Sequence, residues 1–159
     1  MRKNYRMKNI FADKASLVLR KMLKDSERRW VVRDFTGPEG ISLGMSQEVL
    51  KAMEKKGYIE RVKKGPDSHT ILTNKEQLIS DWLKEYHFNL NTIDTYYSSD
   101  NLIHPFYKNS LFFNTQKIKD YNMVSNLQLY LDLYNFQPRG REQAEYLRNL
   151  LEEKGRNLE

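Results

Sequence analysis

Residues 44–65, GMSQEVLKAMEKKGYIERVKKG, constrain the fold of this chain more than any other stretch. The apolar residues that recur there with helical spacing are Val49, Leu50 and Met53, with Leu43 or Met45 above them. Gly57 stands where a helix commonly ends in the left-handed conformation, and the YIERV that follows alternates as a strand does. KKGPDSH then supplies turn residues before the short segment TIL. The stretch predicts a helix over residues 43–56, strands over 58–62 and 70–72, and a basic turn between the strands.

Two more helices are predicted on either side of this stretch. The first spans residues 13–25, where apolar residues follow a 3.6-residue period after Asp13, a predicted N-cap. The segment WVVRDF, residues 30–35, is either a short strand or the start of a short second helix. A further helix spans residues 74–86 and begins at an asparagine cap. The order of these elements is that of a winged helix-turn-helix domain, predicted over residues 1–88.

The second half of the chain predicts a smaller and less regular domain. The sequence becomes rich in polar and aromatic residues near residue 89, where we place the domain boundary. Residues 104–114 can hold one or two strands. A serine followed three residues later by a glutamine predicts a helix over residues 126–134, and the last helix is predicted over 141–155. The expected fold class is α+β, with a winged helix-turn-helix followed by a small α+β C-terminal portion, residues 89–159.

Positive charge is concentrated in the first half of the chain. Residues 1–88 contain 19 Lys and Arg against 12 Asp and Glu, whereas residues 89–159 contain 8 against 9. A basic domain attracts polyanions by releasing their counterions, and a near-neutral one more often meets proteins or a second copy of itself. The charge pattern favours double-stranded DNA as the partner of the first half and a homodimer built through the second.

The residues predicted to contact DNA form three groups. The open face of the helix over residues 43–56 is predicted to hold Gln47, Glu48, Lys51 and Lys55. The side chains of this helix expected to reach base edges or phosphates are Ser46, Gln47, Lys51 and Lys55. On the wing, the cations expected to touch phosphates or the minor groove are Arg61, Lys63 and Lys64. The basic arm contains Arg2, Lys3, Arg6 and Lys8. The alternative is a winged-helix protein-interaction module without sequence-specific DNA binding, in which the lysines are simply solvated.

Catalytic and metal-binding classes find little support in the sequence. Cysteine is absent, which excludes disulfides and thiolate metal sites. The three histidines, His69, His87 and His104, have no acidic partner at metal-ligand spacing, and the glycines form no phosphate-binding loop. Asp132 is a lone carboxylate in LYLDLY, which is more typical of a structural hydrogen bond than of a catalytic group. We expect no metal, no cofactor and no enzymatic activity.

Membrane association is not indicated either. No stretch approaches the roughly 18–20 apolar residues that span a bilayer. The basic start MRKNYRMKN is not followed by an apolar segment of the kind found in secretory signals. We expect a cytoplasmic protein without a membrane partner.

Several segments resemble a known family. DKASLVLRKML, SLGMSQEVLKAMEKKGYIERVKKG and LTNKEQLISDWLKEY resemble the winged-helix part of AbiEi-type transcriptional regulators, the antitoxins of type IV toxin–antitoxin systems. MVSNLQLYLDLYNFQPRGREQAEYLR, residues 123–148, is similar to that family's C-terminal signature, a Gln-Leu-Tyr-x-Asp-Leu core followed by an Arg-Gly turn. Residues 89–122 form a shorter middle region than that family has. The resemblance implies DNA binding at the protein's own promoter, autoregulation, and antagonism of a nucleotidyltransferase-like toxin.

Overall fold

The computed structural model describes residues 9–37, 40–86, 110–119 and 121–158. Across these residues the chain is α+β, with five α-helices and two small antiparallel sheets. The helices are α1 (Asp13–Lys24), α2 (Leu43–Lys55), α3 (Lys75–Glu85), α4 (Asn126–Tyr134) and α5 (Gly140–Glu153). The strands are β1 (Ile59–Val62), β2 (His69–Leu72), β3 (Gln116–Ile118) and β4 (Tyr121–Met123).

The chain divides into two compact units, Met1–Trp82 and Leu83–Glu159, which we call the N-terminal and C-terminal units. The helices agree with the sequence prediction to within two residues at each end. Residues 110–114, the described part of the segment 104–114 in which one or two strands were expected, form a turn, and residues 104–109 lie outside the described ranges. The hairpin β3–β4 follows further along the chain and was not predicted. Within the described ranges, no helix combines the length and hydrophobicity needed to cross a bilayer.

Apolar residues of α1, α2 and α3 form the core of the N-terminal unit. Its most buried side chains include Leu19, Met22, Leu50, Met53, Tyr58 and Leu78. The predicted N-cap of α1 is wrong by one position. Asp13 is the first helical residue, and Ala12 before it supplies no side-chain cap. The carboxylate of Asp13 still lies in the first turn, where negative charge favours the helix dipole.

The segment WVVRDF forms a short helix, with an isolated bridge at Trp30 in place of the alternative short strand. The Trp30 amide donates to the Thr70 carbonyl at 2.9 Å, and the Thr70 amide donates back at 2.7 Å, so Trp30 adds one position to the β1–β2 sheet. Directly afterwards, Val32–Phe35 forms a short 3-10 helix. The buried ring of Phe35 stacks on that of Trp30 with centroids 5.2 Å apart, which attaches this short helix to the sheet.

A glycine at the end of α2 turns the chain into β1. Gly57 has φ +76°, its amide donates to the Glu54 carbonyl, and the Tyr58 amide donates to the Met53 carbonyl. This double hydrogen bond ends the helix as the sequence predicted. β1 then pairs with β2 in antiparallel register, Ile59 opposite Leu72. The Tyr58 hydroxyl donates to Asp81 Oδ2 at 2.7 Å, which links the start of the hairpin to α3.

The C-terminal unit contains a second hairpin and a helix pair. β3 and β4 pair antiparallel, with Gln116 opposite Met123. The Gln116 side-chain amide donates to the Val124 carbonyl at 3.0 Å and to Asn126 Oδ1 at 2.9 Å, which ties the hairpin to the start of α4. Ser125 caps α4 as predicted, because its Oγ accepts the Gln128 amide at 3.2 Å.

Candidate nucleic-acid interface

Helix α2 has one buried face and one exposed face. The buried face consists of Ser46, Val49, Leu50 and Met53. The exposed face consists of Leu43, Gly44, Gln47, Glu48, Lys51, Glu54 and Lys55. Ser42 fixes the start of the helix, because its Oγ accepts the Met45 amide at 3.3 Å. The outer face therefore presents an amide, two lysines, two carboxylates and an apolar side chain to solvent, on a helix whose register is set by its cap and core.

Ser46 is a correction to the predicted base contacts. Its side chain is fully buried, and its Oγ donates to the Ser42 carbonyl oxygen at 3.1 Å. A serine inside a helix often satisfies its hydroxyl on the carbonyl four residues earlier, which turns it away from solvent. A side chain enclosed in this way is out of reach of a base edge. The predicted contacts Gln47, Lys51 and Lys55 are all exposed.

In the first turn of α2, a residue that was predicted to face the core is exposed instead. The helical period placed Leu43 or Met45 over the core, but Leu43 is 48% exposed and Met45 is half-buried. The core at this end is filled by Ile41, which lies just before the cap and is buried. A signal in the sequence was available, because a serine N-cap at residue 42 makes Ile41 the inward residue that precedes the helix.

The turn between β1 and β2, residues 63–68, holds two exposed lysines on a hydrogen-bonded frame. Lys63 and Lys64 are both exposed, and Gly65–Asp67 forms a single 3-10 turn. Ser68 Oγ accepts the Lys64 amide at 3.1 Å and donates to the Gly65 carbonyl at 2.7 Å. These bonds cross the base of the turn, so the lysines project from a closed loop.

Arg61, the third predicted wing cation, forms an ion pair with a carboxylate of α2. Arg61 is half-buried on β1, and its Nη1 lies 3.6 Å from Glu54 Oε2 on α2. This ion pair neutralises the charge of Arg61, and it also neutralises one of the carboxylates on the exposed face of α2. The predicted arm residues Arg2, Lys3 and Arg6 lie outside the described ranges.

An open hollow of about 590 Å³ lies beside the turn. Its lining includes Arg29, Val31, Val62, Lys64, Pro66 and His69. His69 Nδ1 lies 2.8 Å from the Asp67 carbonyl oxygen, so that this ring nitrogen faces the turn's own backbone. Arg29 and Lys64 add two exposed cations at the rim. Asp67 is exposed in the same lining, so the hollow adds one cation, Arg29, and one carboxylate to the lysine of the turn.

Asp132 in the C-terminal unit is held by a polar cluster. The Tyr86 hydroxyl donates to its Oδ1, and the Gln128 side-chain amide donates to the same oxygen and to the Tyr86 hydroxyl, each at 2.9 Å. Tyr86 and Gln128 are both buried. Buried polar groups of this kind are ordinarily satisfied by one another, so the cluster attaches Tyr86 to α4 within the C-terminal unit.

Among the described residues, no cluster of three or more His, Cys, Asp or Glu side chains that could hold a metal ion occurs. In comparisons with known proteins, no family model matches the chain, and neither a curated protein nor a solved structure matches it.

Proposed function

We propose that the N-terminal unit is a winged helix-turn-helix that binds double-stranded DNA. In support, α1, the Trp30 bridge, the 3-10 helix, α2 and the β1–β2 hairpin follow one another in the order of that domain. In this assignment α2 is the recognition helix and residues 63–68 are the wing.

The proposed contacts follow from the chemistry of the exposed groups. Gln47 has a donor and an acceptor that suit the N6 and N7 edge of adenine, and Glu48 accepts from the amino group of cytosine. Lys51, Lys55 and the two wing lysines bind phosphates, which fixes the register of the protein without reading sequence. Helix and wing together place base contacts in the major groove and charge contacts on the backbone beside it.

One observation carries the proposal. The side of α2 that faces away from the core combines Gln47 with Lys51 and Lys55, and the hairpin directly after it exposes Lys63 and Lys64. Two neighbouring elements of the same unit thus present cations outward, beside a side chain able to read a base. Lysines that serve only to keep a surface soluble do not need the Gln47 amide beside them.

The biological role follows from the family resemblance and is part of the same proposal. We propose a regulator of the AbiEi antitoxin type that acts on its own promoter and counteracts a nucleotidyltransferase-like toxin. A single recognition helix gains specificity when a dimer reads a two-fold site. The near-neutral C-terminal half is suited to such pairing, because it adds little charge repulsion between copies.

The salt dependence of DNA binding tests the wing. For the full chain and a fluorescent duplex taken from upstream of its own reading frame, log K should fall linearly with log salt. The double variant Lys63→Ala with Lys64→Ala should lower the steepness of that fall by about two, since each phosphate contact contributes about 0.9.

The C-terminal hairpin offers a matched control. Lys117 and Lys119 are also two exposed lysines next to a turn, and the double variant Lys117→Ala with Lys119→Ala changes the net charge equally. It should leave the slope unchanged. Equal slopes for both double variants would remove the wing from the interface. Retention on heparin without binding to any duplex would favour the protein-interaction module instead.

A further inference from the structure

The first turn of α2 carries two residues that its own unit does not explain. Leu43 is 48% exposed, and Gly44 beside it is exposed as well. A Cβ built on Gly44 would meet nothing within 4 Å, and the residue has an ordinary helical backbone. Neither packing nor backbone geometry therefore requires a glycine at this position. Glycine is also the poorest helix former after proline, so its presence here costs helix stability.

These two residues suit a ligand that approaches closely and offers an apolar group. Among the base edges of the DNA major groove, the thymine C5-methyl is the apolar contact. A glycine without a side chain lets the helix backbone approach the groove wall, and the leucine next to it then reaches the groove floor. Lysine or glutamine at residue 43 would make polar contacts instead.

We infer that Leu43 reads a thymine methyl group in the DNA site, an inference that rests on the proposed function. Leu43 and Gln47 are four residues apart, so they share one side of the helix about 6 Å from each other. Base pairs follow one another every 3.4 Å along the duplex axis. The thymine read by Leu43 therefore lies one or two base pairs from the adenine read by Gln47.

Replacement of thymine by deoxyuridine tests this inference, because it removes only the methyl group. The full chain is first used to enrich binding sequences from a random duplex pool. Each thymine of an enriched duplex is then replaced singly by deoxyuridine, and affinity is measured by fluorescence anisotropy. The Gln47→Ala variant locates the adenine. It is the base whose replacement weakens binding by the wild-type chain but not by the variant.

At one thymine within two base pairs of that adenine, replacement by deoxyuridine should weaken binding. Loss of its methyl should weaken binding by the wild-type chain about fourfold, the equivalent of about 0.8 kcal/mol for one buried methyl-sized group. Leu43→Ala should bind the two duplexes equally, whereas Leu43→Met, which keeps an apolar side chain, should retain the difference. Ile118→Ala removes an exposed side chain of the same size from β3 and should also retain it.

The outcomes separate this inference from the function on which it rests. If no duplex is enriched, the DNA-binding proposal fails and the inference fails with it. If an enriched duplex binds tightly but no thymine is sensitive, DNA binding stands and the role of Leu43 is refuted. Sensitivity that persists in Leu43→Ala refutes that role equally, because another group must then contact the methyl.

Discussion

Helices α2 and α5 each carry a glycine in the first turn, and the two glycines have opposite surroundings. Gly140 opens α5 and is buried; a Cβ there would overlap the Leu133 carbonyl oxygen and lie 3.1 Å from the Phe136 Cβ. Gly44 is the second residue of α2 and is exposed, and a Cβ there would contact nothing within 4 Å. The packing of the C-terminal unit accounts for Gly140, whereas the described residues around Gly44 give no reason for a glycine.

The outward faces of the two helices differ in the same way. The carboxylates exposed on α5 are those of Glu142, Glu145, Glu152 and Glu153, and Glu152 accepts the Arg148 side chain at 3.0 Å. An acidic face of this kind repels phosphates. α2 instead balances its two exposed carboxylates with two lysines, Lys51 and Lys55, beside its unexplained glycine. The comparison teaches that packing inside the unit requires the glycine of α5, while in our proposal the close approach of DNA accounts for the glycine of α2.

Gly140→Ala should have the largest effect on stability. The added methyl must displace backbone at the α4–α5 junction, and overpacking of this kind costs about 3 kcal/mol. Both tryptophans, Trp30 and Trp82, belong to the N-terminal unit. Far-UV circular dichroism during urea unfolding should therefore report a lower midpoint for the helices of the C-terminal unit, while tryptophan fluorescence follows the N-terminal unit. A far-UV midpoint equal to that of the wild type would show that the junction has room for a side chain.

The helical core was predictable because its residues obey one period throughout. Val49, Leu50 and Met53 were expected to face inward and are fully buried. Gly57 was expected to end α2 and does so at φ +76°. Such features depend on neighbours three to five residues away, which the sequence displays directly.

The exposed end of α2 could not be predicted from the same period. Leu43 lies seven residues before Leu50 and so falls on the same side of an ideal helix, yet it is exposed because Ile41 fills the core at this end. Ser46 was expected to contact DNA from its place in the recognition helix. It lies three residues before Val49 and four before Leu50, so the period itself puts it on the buried side, where its hydroxyl bonds back to the Ser42 carbonyl. The exposure of Leu43 depends on where the helix begins relative to the core, which is a tertiary property. The hairpin β3–β4 was missed for a related reason, since three-residue strands leave almost no alternation to detect.

The α4–α5 contact should also make the stability of the C-terminal unit depend on pH at the alkaline end. Tyr130 is buried and its hydroxyl donates to Glu145 Oε1 at 3.1 Å. Burial, and then the charge and hydrogen bond of Glu145, raise the pKa of Tyr130 from 10.0 to about 12. The folded state thus holds this proton more tightly than the unfolded state. Its contribution is complete below pH 10 and is lost as the pH rises towards 12, by on the order of 2 kcal/mol.

Tyr130→Phe isolates this contribution from the other tyrosines. The variant has no phenol to titrate at residue 130, so its free energy of unfolding should fall less steeply between pH 10 and 12, the range set by the shifted pKa. Urea titrations followed by circular dichroism at several pH values measure the difference. Parallel pH profiles for the two proteins would mean that Tyr130 ionises as easily in the folded state as in the unfolded one.

Gly44→Ala should have the smallest effect on stability and the most informative one. Alanine is the better helix former and its methyl has open space, so the free energy of unfolding should rise by up to about 1 kcal/mol. Binding to an enriched duplex should nevertheless weaken about fivefold, the equivalent of about 1 kcal/mol, because the methyl separates α2 from the groove. Ser80→Ala, on the exposed side of α3, also adds helix propensity and should leave DNA affinity unchanged. A variant that is more stable but binds less well cannot owe its defect to unfolding. Unchanged affinity in Gly44→Ala would therefore mean that α2 does not approach DNA by its first turn.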